Sequence, residues 1–208
     1  NVLRLAGRGH SAYDVENASR LIKAEGFTLG HQIMPGLPGD TKEIDLATIK
    51  KSIEMKPDIA RIYPALVIKD TPMETMYNRG EYEPYSLDMA VEVSREMLKL
   101  YNAAKVKVIR IGLQPTDTIA EGKDVVAGPF HPAFRELVEG SLICENIKEK
   151  TNESSDIIIE INSKDISKLY CNKKQYFNEF KKNRHGKVFV KTVDKLKRGR
   201  VRVTVIEK

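Results

Sequence analysis

Along the chain, amphipathic stretches with helical spacing alternate with short, nearly continuous apolar runs. Val15, Ala18, Leu21 and Ile22 share one face at a period near 3.6 residues. They predict a helix that opens at Ser11, where Asp14 completes a capping-box pattern, and closes at Glu25-Gly26. Val2, Leu3 and Leu5 predict the end of an earlier helix, stopped by Gly7-Arg8-Gly9. Residues 27–34 predict a first strand. The next helix is expected to be capped by Asp40 and Glu43, with Ile44, Ala47 and Ile53 as its apolar face, and to end before Pro57. Residues 59–68 predict a second strand, nearly all apolar as when both faces are covered, with an irregularity at Pro64. After a short helix and a Gly80 turn within 73–85, Ser86 caps a long helix through Ala103, with Leu87, Ala90, Val91, Met97, Leu98 and Tyr101 as its apolar positions. Residues 106–113 predict a third strand. Helices and strands in strict alternation imply parallel strands joined by right-handed crossovers.

Residues 117–130 read as a glycine-punctuated loop, followed by a helix from 132 that continues to 148. The stretch 149–156 is polar and turn-rich, a linker by composition. Beyond it the rhythm changes: strand 157–161, helix 163–169, turn 171–174, helix 175–182 and strands 187–191 and 201–206. Three regions are therefore expected, at 1–148, 149–156 and 157–208. The fold class is α/β, with a small C-terminal α+β domain.

Charge sharpens that division. The chain carries +6 overall, yet 157–208 holds 15 Lys and Arg against 5 Asp and Glu. A basic segment joined to a mildly acidic body points to a polyanionic partner for that segment. Apolar content of 41% with 31% charged residues fits a folded domain. No apolar run approaches the ~18 residues of a spanning helix, so no membrane association is expected. Cys144 and Cys171 stand apart, as plain thiols without metal-ligand spacing, and the expected compartment is the cytoplasm. The chain opens inside an element and without Met, which suggests a fragment.

The densest local signal lies between the first strand and the following helix. Gly30, Gly36 and Gly39 with Pro35 and Pro38 can continue neither helix nor strand. The turn they shape falls at the C-terminal end of a parallel strand, where α/β folds bind ligands. Backbone groups at Met34, Pro35 and Gly36 suit a flat ring, and Leu66, Val67 and Ile68 supply an apolar surface. Strand alternation sends His31 and Gln32 to opposite faces and puts Arg61 and Tyr63 on one face, where they could hold a carboxylate. His131, next to Pro132, is expected at a helix N-terminus without a catalytic role.

The turn Met34-Pro35-Gly36-Leu37-Pro38-Gly39-Asp40-Thr41 resembles the fifth-strand segment of radical S-adenosylmethionine enzymes. The run 61–71, Arg-Ile-Tyr-Pro-Ala-Leu-Val-Ile-Lys-Asp-Thr, is similar to the sixth strand of the branch containing the elongator catalytic subunit, which modifies the wobble uridine of tRNA. Gly80-Glu81-Tyr82 and Pro84-Tyr85-Ser86 are similar to the start of that branch's extension. The resemblance covers roughly 1–145. It implies a partial parallel (β/α) barrel with a post-barrel extension, a [4Fe–4S] cluster, and S-adenosylmethionine as source of a 5′-deoxyadenosyl radical. It makes Gln32, Met34, Pro35, Gly36, Leu66, Val67 and Ile68 cofactor contacts and Arg61 and Tyr63 substrate contacts. The chain departs from the pattern in lacking CxxxCxxC. By itself it is expected to be inactive, and the open sheet edge is expected to drive self-association.

In the basic segment, 166–174 is similar to the paired helices of KH domains, with Cys171 and Lys174 in place of the GxxG glycines. Lys173, Lys174, Lys181, Lys182, Arg184, Arg198 and Arg200 are its candidate RNA contacts. A non-enzymatic RNA-binding module and a radical oxidoreductase acting on a small molecule, as in porphyrinogen oxidation, are the alternatives.

Overall fold

A computed structural model describes residues 1–117, 119–120 and 122–206. Thr118 and Glu121 of the expected loop 117–130, and Lys208 of the basic segment, lie outside the described residues. The chain forms two compact units, Asn1–Arg135 and Glu136–Lys208. The second unit begins ahead of the expected linker at 149–156. No helix among the described residues is long and apolar enough to cross a membrane.

In the first unit, α1 (Val2–Leu5) and α2 (Ala12–Ala24) precede β1 (Gly30–Ile33). Then come α3 (Lys42–Glu54), β2 (Ile59–Ile62), β3 (Val67–Ile68), α4 (Pro72–Asn78), α5 (Leu87–Ala103), β4 (Lys107–Ile111) and β5 (Val125–Ala127). The sheet β1-β2-β4 is parallel throughout. Its buried residues include Ala60, Ile62, Val108 and Ile111, and α5 adds Ala90, Val91, Met97 and Tyr101. β3 and β5 form a separate antiparallel pair, so the expected second strand breaks after Ile62, ahead of Pro64. Among the described residues the strands form three small sheets, none of them closed.

Local chemistry explains the helix starts. Ser11 and Asp14 form the reciprocal capping box, and Ser86 accepts from the Met89 N–H. The α3 start differs from expectation: Thr41 is its cap and accepts from the Ile44 N–H. The inward face of α3 differs too. Asp45, Ile49 and Ser52 are buried, whereas Ile44 and Ala47 are exposed. Polar residues occupy that face because they have partners there, described below. On α2 only Ser19 is buried; Ala18, Leu21 and Ile22 stay exposed, since no described element covers that side.

The second unit contains most of α6 (Phe134–Lys150), then β6 (Asp156–Ile161), α7 (Ile166–Leu169), α8 (Cys171–Lys182), β7 (Val188–Thr192) and β8 (Val201–Ile206). β6 is central, parallel to β7 and antiparallel to β8. Its alternate residues Ile157, Ile159 and Ile161 are wholly buried with Cys144, Ile147, Leu169, Phe177 and Phe180. Gly140 permits the close approach of α6 and α7: a Cβ there would lie 2.3 Å from the Lys168 carbonyl oxygen.

Candidate functional site

The turn after β1 is held from behind by two tyrosines. The Tyr82 hydroxyl donates to the Gly36 carbonyl at 2.6 Å. The Tyr85 ring lies directly against Gly36, so that a Cβ would come within 2.7 Å of it, and the φ of +79° also suits glycine. Tyr85 in turn donates to Asp45 Oδ2 at 2.9 Å. Asp45 also shares a hydrogen bond with Asp40, which lies in the turn. Burial first, and the Asp40 charge second, push the Asp45 carboxyl up to about 8. Burial raises Asp40 as well, and lifts the Tyr82 hydroxyl to about 12. The pair is a hydrogen-bonded carboxyl–carboxylate unit at neutral pH.

The strand ends are stitched together beyond their regular pairing. The Tyr63 N–H donates to the Ile33 carbonyl, Ala65 N–H to the Pro35 carbonyl and Gly112 N–H to the Ile62 carbonyl, at 2.8, 2.9 and 2.9 Å. Among the candidate cofactor residues, Pro35, Gly36, Leu66 and Val67 are buried, Met34 and Ile68 half-buried, and Gln32 exposed. The Met34 sulfur accepts from Arg8. Val67 is fully enclosed and pairs with Ala127. A shallow cleft, with room for little more than one water molecule, opens at the ends of β2 and β4, lined by Pro64, Leu66, Gly112, Phe130, His131 and Phe134 among others. His131 Nδ1 accepts the Ala133 N–H at 3.1 Å.

On the helix-covered face, His31 is buried between two hydroxyls, Ser19 Oγ at 2.9 Å from Nε2 and Ser52 Oγ at 2.7 Å from Nδ1. Ser52 continues to the Tyr101 hydroxyl at 2.8 Å. Burial lowers the His31 pKa, so the neutral ring occupies this chain. His31 is a structural relay, and its partners explain why α3 turns a polar face inward. Gln32 and Arg61 stand on the opposite, exposed face. Tyr63 lies past the end of β2 and is buried, so it does not join Arg61.

The residues at this shelf fit a flat, partly apolar group at Leu66, with Gln32 and Met34 accessible beside it. They do not fit an iron–sulfur cluster. Among the described residues no three His, Cys, Asp or Glu side chains gather to hold a metal. Burial pushes both thiols up, Cys144 to about 12 and Cys171 to about 11, away from the thiolate a metal needs.

In the second unit, Lys173, Lys174, Lys181, Lys182, Arg198 and Arg200 are exposed. Asn172, Lys173 and Lys174 are consecutive left-handed residues at the expected turn. Lys174 Nζ sits 4.9 Å from the Tyr170 ring centroid. Arg184 is half-buried and engaged: it donates to Thr151 Oγ1 and the Ser155 carbonyl, both at 2.9 Å, and covers Phe180. Arg198 pairs with Asp165 at 3.3 Å. Against the effect of burial, the Gly199 N–H and the cations Lys168 and Arg198 hold Asp165 below its usual range.

Residues 57–143 match the Radical_SAM C-terminal domain. The match covers part of the chain and agrees with the resemblance carried by the strand-end motifs. The chain is 39% identical over 95 residues to the tRNA uridine(34) acetyltransferase of Methanocaldococcus jannaschii, covering 44% of this chain and 18% of that protein. It is 32% identical over 103 residues to human Elongator complex protein 3, covering 48% and 19%. The solved structure of Methanocaldococcus infernus Elp3 with an N-terminal deletion superimposes with a TM-score of 0.59 at 28% identity, over 71% of this chain and 34% of that one. The matched stretch thus spans under a fifth of these curated relatives.

Proposed function

We propose that this chain is the C-terminal part of a radical S-adenosylmethionine enzyme of the elongator-like branch that modifies tRNA in the cytoplasm. The parallel strands are the last strands of a partial barrel, and residues from Gly80 onward begin its extension. Gln32, Met34, Leu66 and Ile68 line one wall of the S-adenosylmethionine site, backed by the buried Pro35, Gly36 and Val67, and Arg61 lies on its substrate side, while Tyr63 is buried and does not face it. The carrying observation is positional. The Met34–Thr41 turn and the Tyr63–Leu66 segment leave adjacent parallel strands at the same end and bond to each other there, inside or beside the matched family domain. When bound, S-adenosylmethionine supplies a radical precursor whose cleavage needs a cluster that this chain does not ligate. The chain's own contribution is to fix the shelf. Tyr82 and Tyr85 lock the turn.

The exposed lysines of the second unit, with Arg200, are the phosphate contacts to tRNA, while Arg184 and Arg198 buttress them. The test is reductive S-adenosylmethionine cleavage by the complete gene product, reconstituted with iron and sulfide. Formation of 5′-deoxyadenosine, lost on replacing the upstream cysteines, is the expected result; its absence refutes the reading.

A further inference from the structure

The sheet β1-β2-β4 contains one register shift, and its effect is specific. Ala60 pairs with Val108, but Arg61 pairs with Arg110, so Ile109 has no partner on β2. Regular pairing would set Ile109 beside Arg61 and turn Arg110 to the face of buried Ile62. The bulge instead re-aims Arg110 to the open face. The Ile109 carbonyl is occupied by Arg135 Nη1 at 3.1 Å. Gln32, Arg61 and Arg110 therefore form one row across three strands, all exposed.

Neighbouring strands lie about 4.8 Å apart. Two arginines directly opposite each other on neighbouring strands place like charges side by side, which is unfavourable. No hydrogen bond or ion pair ties either of them to another described residue. Arginine presents a planar fork of donors matched to carboxylate and phosphate oxygens, and an anion between two such forks removes the repulsion.

We propose that Arg61 and Arg110, with Gln32 as a neutral flank, form a clamp for an oxyanion, the carboxylate of an amino-acid moiety or a phosphate. Arg110 is thereby a binding residue of the open sheet face, brought into place by the bulge. The assignment rests on reading this face as the ligand side of the barrel.

The test uses the chain itself, labelled with ¹⁵N-arginine, and follows the Arg Nε–H signals at pH 6.5 and constant ionic strength. Inorganic phosphate is titrated in one arm and N-acetylmethionine in the other. Saturable shifts of both the Arg61 and Arg110 signals are expected in at least one arm. Saturation by phosphate alone assigns a phosphate, saturation by the carboxylate alone assigns an amino-acid carboxylate, and saturation by both supports a general oxyanion clamp. Arg61→Lys and Arg110→Lys keep the charge but lose the fork, and each weakens binding about tenfold. The amide spectrum away from the sheet serves as the folding control. Shifts that never saturate, or that persist in an Arg61→Gln/Arg110→Gln chain, overturn the proposal. A negative titration leaves the cleavage test standing, and a failed cleavage leaves the titration standing.

Discussion

Replacing Asp45 by Asn removes the proton that the turn takes up on folding. Burial, then Asp40, raises the Asp45 carboxyl from 3.8 to about 8 in the folded chain. Between those values the folded state binds a proton that the unfolded state has released. Stability contributed by this group is therefore full below pH 4, falls as pH climbs through the window, and levels off above about 8. One proton corresponds to about 1.4 kcal/mol per pH unit, so roughly 4 kcal/mol separates pH 4 from pH 7. Asparagine keeps the geometry without the proton: its amide donates to Asp40 and its carbonyl accepts from Tyr85. Asp45→Asn is expected to stabilise the first unit at pH 7 by about 2–4 kcal/mol, and to leave it nearly unchanged at pH 4. Urea unfolding at pH 4 to 8, read by hydrogen exchange of peptides spanning 36–49, measures the difference. Parallel pH curves for the two proteins, or a variant less stable at pH 7, refute the reasoning.

Gly36→Ala drives a methyl into the Tyr85 ring at a left-handed position and is expected to cost about 2–4 kcal/mol in thermal unfolding. Ser52→Ala strips the partner from both His31 Nδ1 and the Tyr101 hydroxyl. A loss of about 1–3 kcal/mol in urea unfolding is expected, and an unchanged midpoint refutes the relay. Lys173→Glu with Lys174→Glu is expected to weaken tRNA binding and to lower the slope of log affinity against log salt by about 2. A slope equal to that of the parent excludes those lysines as phosphate contacts.

Much of the architecture was legible where local chemistry and burial agree. The Ser11 and Ser86 caps, the β8 run and the turn after Leu169 follow from residue type alone. Strand β5 did not, because Val125–Ala127 gains its state from pairing with β3 rather than from any period of its own. The inward face of α3 was misread because Asp45 and Ser52 look like surface residues; only their partners, Tyr85 and His31, put them inside. The site divided in the same way. The glycine and proline turn announced itself, but the tyrosines that hold it lie 46 and 40 positions from the groups they bond. Arg110 escaped notice because its face depends on a bulge that simple alternation does not reveal.

The distance along the chain between the turn and the two tyrosines that hold it has a consequence for synthesis. A chain emerges from the ribosome N-terminal end first. Residues 34–45 therefore wait in water, with the Gly36 carbonyl hydrated and Asp45 ionised, until Tyr82 and Tyr85 arrive. Docking of the two tyrosines, drying of the turn and capture of the proton then form one late event. Because that event takes up a proton, the equilibrium for closing this shelf weakens as the medium becomes more alkaline.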